Sequence, residues 1–148
     1  FGSNSLARGL EGAREALANG AGITMLGTYG IKEDSVRTGE IIGTGSKRYR
    51  SRGGWISGGG WPVFRANALA PVPTTTKFVS FDTVPSAITL LRAGKVQVLL
   101  GQKYFGWGEE PIKLLHGIVN GRKPANPIID SVVDVVNAAT VDAHQADG

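Results

Sequence analysis

Apolar residues recur along this chain with a spacing near four in some stretches and near two in others, and the two spacings take turns. In residues 6–18, Leu6, Leu10, Ala13 and Leu17 fall at i, i+4, i+7 and i+11, one stripe of a helix. Ser3, Asn4 or Ser5 caps it and Asn19-Gly20 ends it. Residues 23–29 follow, with Ile23, Thr24, Leu26 and Tyr29, and predict a short strand. Asp34 or Ser35 caps a second helix through Val36, Ile41 and Ile42, weakened by Gly39, Gly43 and Gly45.

Residues 47–52 read as a basic turn, 55–57 as a strand running into Gly58-Gly59-Gly60-Trp61-Pro62, and 62–76 as a loop with one helical turn near 64–69. Residues 77–81 combine aromatic and β-branched side chains in a strand that ends at Asp82. Val84-Pro85 opens a helix with proline in its first turn, lined by Ile88, Leu90 and Leu91 and stopped at Ala93-Gly94. Residues 96–100 form a continuous apolar strand, the pattern of burial on both faces, ended by Gly101-Gln102. A helix is predicted over 109–119, with Glu109 and Glu110 favouring its N-terminus, Pro111 in its first turn and Gly121 as its stop. Residues 128–136 predict a last apolar strand, and 138–148 a frayed helix. Alternation of helix and strand predicts an α/β domain: a mostly parallel sheet flanked by helices. No internal repeat is visible.

The chain has 148 residues, 41% of them hydrophobic, which supplies one core and is short for two. Twenty-two glycines are about twice the usual ~7%, without a collagen period. A mean hydropathy of −0.03 with 19% charged residues fits a folded domain. The net charge of +4 is mildly basic. The absence of cysteine excludes disulfides, thiolate metal sites and cysteine nucleophiles. No apolar run approaches the ~18 residues of a membrane span, and no signal segment opens the sequence. Met25 is the single methionine, so the chain is expected to be a processed or partial product.

In open parallel sheets, ligands bind beyond the carboxyl ends of the strands. Three predicted strands end here in Gly60 and Trp61, in Asp82 and in Gln102. A carboxylate accepts hydroxyl hydrogens, an amide donates and accepts, and an indole packs on the C–H face of a sugar ring. Together they suit a neutral polyhydroxylated ligand, with glycines allowing close approach to the backbone. The competing reading has Asp82 capping the next helix and Trp61 filling core. Catalysis finds little support. His116 and His144 lack metal-ligand spacing, and Ser57, Ser80 and Ser86 lack a histidine in an elbow context. Gly43-Thr44-Gly45-Ser46-Lys47 lacks the residue order of a phosphate loop. The basic run at 47–52 has no second basic element, so no nucleic-acid partner is expected. Neither a metal nor a cofactor is expected.

At Val79-Ser80-Phe81-Asp82-Thr83-Val84-Pro85, and again from Leu91 through Gly101-Gln102-Lys103-Tyr104-Phe105-Gly106-Trp107-Gly108, the chain resembles the sugar-binding proteins of bacterial ABC importers, the ribose-binding-like periplasmic binding proteins. Asn120-Gly121-Arg122-Lys123-Pro124, Ile129-Asp130-Ser131 and Val133-Asp134-Val135-Val136 match the usual end of such chains, and Trp55-Ile56-Ser57 with Gly59-Gly60-Trp61-Pro62 fits a subgroup. The resemblance implies a periplasmic, non-enzymatic, two-lobed clamp of periplasmic binding protein type I fold that closes on one monosaccharide and delivers it to a membrane ABC permease. It implies ligand contacts at Asp82, Gln102, Trp61, Gly60 and Arg8, the last with a spacing to Gly12 one residue longer than the family pattern.

By the same resemblance, residues 1–102 form the second lobe without its first strand, and 103–125 a crossover helix that packs on a first lobe absent here. Residues 126–148 form the terminal strand and tail. The lobe is therefore incomplete, and Ile112, Leu115 and Val119, with Leu114 and Ile118 beside them, are expected to form an uncovered apolar stripe. Each exposed aliphatic forgoes about 1.5–3 kcal/mol of burial. Two outcomes follow: a sugar receptor completed by a missing lobe, or a truncated module that has lost binding and self-associates as a structural or interaction domain.

Overall fold

Parallel pairing of three short strands organises the chain. The computed structural model describes residues 4–20, 22–49, 53–60, 67–126, 128–129 and 131–146, with side chains described from 6 to 144. In chain order these form α1 (Asn4–Asn19), α2 (Ser35–Arg48), β1 (Gly54–Ser57), β2 (Lys77–Phe81), α3 (Pro85–Arg92), β3 (Val98–Gln102), α4 (Tyr104–Val119), β4 (Val133–Val136) and α5 (Val141–Ala146). The sheet runs β1-β2-β3-β4, parallel except for β4, which lies antiparallel to β3. This is the expected α/β class, a mostly parallel sheet flanked by helices.

The core lies where β2, α3 and β3 meet. Phe78, Leu91, Val96, Leu99 and Val136 are fully enclosed, with Ala87 and Ile88 of α3 between them and Ile42 of α2 and Val141 of α5 at the margins. Ala68, Leu69 and Val72 bring the turns before β2 into the same core. Asp34 caps α2 through Oδ1, which accepts a hydrogen bond from Arg37 N at 3.0 Å. The glycines of α2 serve packing: a Cβ on Gly45 would stand 2.7 Å from the Trp55 ring. Leu10, Ala13 and Leu17 are the half-buried side of α1, as the periodicity predicts, and none reaches full burial.

Six sequence expectations are corrected. Residues 23–30 form no strand; Ile23, Leu26 and Tyr29 are exposed, and no described strand pairs with them. Strand-forming composition does not suffice without a neighbour to take the backbone hydrogen bonds. The expected strand at 96–100 is displaced to Val98–Gln102, because Lys95 N and Val96 N both donate to Leu90 O in the turn after α3. Gln97 stands in for a ladder residue there: its Oε1 accepts from Phe78 N at 2.6 Å while its own N–H donates to Phe78 O. Within β3, Leu99 is buried but Val98 and Leu100 are only half-buried, short of the two-sided burial expected.

The helix expected at 109 begins five residues earlier, at Tyr104, so Pro111 lies inside α4 rather than at its start. Its missing N–H leaves the Trp107 carbonyl without the usual intrahelical donor. The last strand keeps four of its nine predicted residues; Ile128, Ile129 and Val132 are exposed outside it. Finally, Lys47 and Arg48 belong to the last turn of α2, where cations favour the helix dipole, rather than to a turn. The rest of that basic run, 50–52, lies outside the described residues, as do Trp61 and residues 62–66. No helix among the described residues is long and apolar enough to cross a membrane.

Candidate functional site

The register of the parallel strands sets three chain exits side by side. Ser57 lies opposite Ser80, and Phe81 opposite Leu100, so Gly58-Gly59-Gly60, Asp82 and the end of β3 at Gln102 share one rim of the sheet. Asp82 leaves β2 with φ of 70°, the left-handed region that aspartate tolerates better than most residues. Its N–H donates to Leu100 O at 3.0 Å, which anchors the turn to β3. A residue held this way at the end of a strand stores strain of about 1 kcal/mol, a feature concentrated at binding sites.

Asp82 is buried, with 9% of the residue exposed, and its carboxylate hydrogen bonds lie part-buried at the rim. Oδ1 accepts from Gln102 Nε2 at 2.7 Å and from Tyr104 Oη at 2.6 Å. Gln102 Nε2 also donates to Tyr104 Oη at 3.2 Å, which closes a triangle. Gly60 flanks the other oxygen: a Cβ there would overlap the Phe81 carbonyl oxygen and stand 3.1 Å from Asp82 Oδ2. Among the described residues no donor reaches Asp82 Oδ2 or Gln102 Oε1, so the rim offers two acceptors beside each other. The competing reading of Asp82 as a helix cap does not hold. The N-cap of α3 is Val84, without a side-chain bond, and the Asp82 side chain points its hydrogen bonds at β3 and α4.

The structure therefore brings together Asp82, Gln102 and Gly60 of the expected residues. Arg8 is not among them by any contact of the described residues: its exposed guanidinium pairs with Glu11 at 3.2 Å. Its helix does begin beside the rim, for a Cβ on Gly58 would lie 3.6 Å from Leu6 Cδ2. Trp61 lies outside the described residues. Sequence reasoning missed Tyr104 and Trp107. The Tyr104 ring meets Trp107 edge-on at 5.1 Å, and Trp107 Nε1 donates to Ser131 Oγ at 2.9 Å. Lys103 pairs with Asp134 at 3.3 Å, so the first turn of α4 is tied to the chain around β4. The available signal was the two-residue step from Gln102 to Tyr104, hidden by placing the helix start at Glu109. An open groove of about 240 Å³ lined by Tyr29, Glu40, Ile41, Thr44, Gly45 and Arg48 includes none of the rim residues.

Burial, followed by the hydrogen bond to Asp82 and its charge, pushes the Tyr104 hydroxyl up from 10.0 to about 12. A folded value above the unfolded one means the proton is held more tightly in the folded chain. The stabilisation is complete below pH 10 and is lost as pH rises towards about 12. Relative to Tyr104→Phe, the native chain is expected to lose roughly 1 kcal/mol across that window, the shift being discounted for a half-exposed ring. Urea unfolding at stepped alkaline pH checks this; a stability difference that stays constant across the window contradicts it.

No family model matches the sequence, and no curated protein matches it. Solved structures do. An ABC transporter solute-binding protein from Agrobacterium vitis, bound with α-D-tagatopyranose, superposes with a TM-score of 0.81 at 19% identity, over 92% of this chain and 46% of that one. A second from Agrobacterium vitis, with bound D-fucose, gives 0.79 at 16% identity, over 93% and 48%. One from Burkholderia graminis, in complex with D-arabinose, gives 0.73 at 23% identity, over 88% and 47%. The chain thus has the type I periplasmic binding protein fold and spans about half the length of these neighbours.

Proposed function

We propose that the chain is the rim-bearing part of a solute-binding protein that captures a monosaccharide for ABC-type import. The observation that carries this reading is the meeting of Asp82 and Gln102, twenty residues apart in sequence, at 2.7 Å on the carboxyl rim of the sheet. Asp82 Oδ2 and Gln102 Oε1 accept the hydroxyl hydrogens of a vicinal diol, and Gly60 lets the ligand ring approach the backbone. Trp61, which the resemblance implies as a ligand contact, or the Tyr104–Trp107 pair beside Asp82 covers the C–H side of the ring. Arg8 reaches the ligand by releasing Glu11. The neighbours' ligands, tagatose, fucose and arabinose, have the same uncharged polyhydroxylated character.

In this reading the protein is not an enzyme. It works in the periplasm, where one structural neighbour from Shewanella is described as the periplasmic binding protein component of an arabinose ABC transporter. Closure of a second lobe over the rim favours the occupied state, and the importer's permease reads that state. Residues 1–102 are the lobe proper, 103–125 the crossover and 126–148 the closing strand and tail. Calorimetric titration with free pentoses and hexoses tests the proposal: saturable heat with at least one sugar is expected, and no heat with any sugar in a two-lobe protein overturns it.

A second reading has its own observation. α4 buries no residue; Phe105 is 85% exposed, Ile112 71% and Val119 77%, with Leu115 and Ile118 also bare. Such a face is covered in a stable molecule. A second lobe is the cover that the neighbours' double length favours. Self-association of a non-binding module is the alternative. It predicts a concentration-dependent dimer by size-exclusion chromatography that Leu115→Glu abolishes, together with silence towards sugars. A monomer at all concentrations rules the alternative out.

A further inference from the structure

We infer that Tyr104 is a built-in competitor for the site, a side chain whose hydroxyl holds Asp82 Oδ1 and must leave when a ligand hydroxyl extends from Oδ2 onto that oxygen. The inference rests on the sugar-binding reading above and deepens it. Asp82 Oδ1 carries two donors, Gln102 Nε2 at 2.7 Å and Tyr104 Oη at 2.6 Å, and two donors fill the lone pairs of one carboxylate oxygen. Only Oδ2 is left open on the described side. A polyol that engages the whole carboxylate therefore needs the Oδ1 position that Tyr104 occupies.

Of the two donors, Tyr104 is the one placed to yield. Gln102 is the last residue of β3, paired with Val133 of β4. Tyr104 is the first residue of α4, half-exposed, on a helix with no buried residue. Its ring rests edge-on against Trp107, itself hydrogen-bonded to Ser131. With the helix start held by Lys103–Asp134 and Trp107–Ser131, displacing the hydroxyl therefore turns the half-exposed Tyr104 side chain and not the sheet. Linkage then runs both ways: a ligand on Asp82 frees the Tyr104 side chain, and whatever fixes that side chain away from Asp82 raises ligand affinity. The Tyr104 hydroxyl acts as a stand-in for a sugar hydroxyl, keeping Asp82 Oδ1 paired until it is needed.

Two measurements on the 148-residue chain test this, with D-arabinose, D-tagatose and D-fucose as probes. In the first, binding is titrated by chemical shift for the native chain and for Tyr104→Phe, which keeps the ring and removes only the competing hydroxyl. The variant is expected to bind the preferred sugar about tenfold more tightly, because its competent state no longer has to be paid for by breaking the Asp82 contact. In the second, the Tyr104 ring carbon bearing the hydroxyl is followed by carbon-13 labelling, and saturating sugar is expected to move its signal to that of a free tyrosine. Equal or weaker binding by Tyr104→Phe, or a ring signal unmoved at saturation, overturns the competitor role while leaving sugar binding intact. Absence of binding in both proteins, with the Tyr104 signal still reporting the Asp82 contact, overturns the competitor role in this chain, while the sugar-binding reading stands or falls on the two-lobe titration.

Discussion

Asp82→Ala is expected to remove the proposed sugar binding, at a cost of about 3 kcal/mol or more than a hundredfold in affinity, the range for removing one partner of a charge-assisted hydrogen-bond set. Three groups depend on this carboxylate: Gln102 Nε2, Tyr104 Oη and, in the proposed complex, a ligand hydroxyl. Alanine removes the acceptor from all three, and it keeps the roughly 1 kcal/mol of backbone strain at φ of 70° without the hydrogen bonds that offset it. Asp82→Gly separates the two effects. Glycine relaxes the backbone, so thermal unfolding of that variant stays closer to native, while the affinity loss is the same as for alanine. Full affinity in Asp82→Gly contradicts the role assigned to the carboxylate.

Gly60→Ala is the second large effect. The added Cβ would overlap the Phe81 carbonyl oxygen, which belongs to β2 and does not yield, so the segment carrying Gly60 moves away from the sheet. That displacement opens the wall beside Asp82 Oδ2, 3.1 Å from the same Cβ. Overpacking of this kind costs about 1–3 kcal/mol in stability, and sugar binding is expected to be lost with it. Gly59→Ala is the control, one residue away, where an added Cβ meets none of the described residues within 4 Å. It is expected to match the native chain in both melting temperature and affinity. Indistinguishable behaviour of the two alanine variants contradicts the close approach at Gly60.

The pattern of legibility follows from where each element finds its partners. Lys77–Phe81 and Pro85–Arg92 were readable because local signals agree there: a β-branched and aromatic run, then proline at a first helical turn, both packed into the core through Phe78, Ile88 and Leu91. Asp82 and Gln102 were readable as a pair because parallel strands must deliver their ends to a common rim. Residues 23–29 misled because strand formation depends on a neighbouring backbone, which nothing in their own composition reveals. Tyr104 was hidden for a related reason. Two glycines and an internal proline argue locally against a helix through 104–111, yet the contacts of Tyr104 with Asp82 and of Trp107 with Ser131 hold the first turn in place. The exposed stripe of α4, with Ile112, Leu115 and Val119 on one face, was foreseen because the family resemblance implies a crossover helix packed on a lobe this sequence does not contain.

The most direct test of the shared rim is a titration of the chain with the probe sugars, followed at the Gln102 side-chain amide and the backbone amides of Asp82 and Gly60. The account predicts that these three signals move together and saturate at one concentration. Signals that stay fixed at the rim while those of Glu40 and Thr44 in the separate groove respond would contradict it.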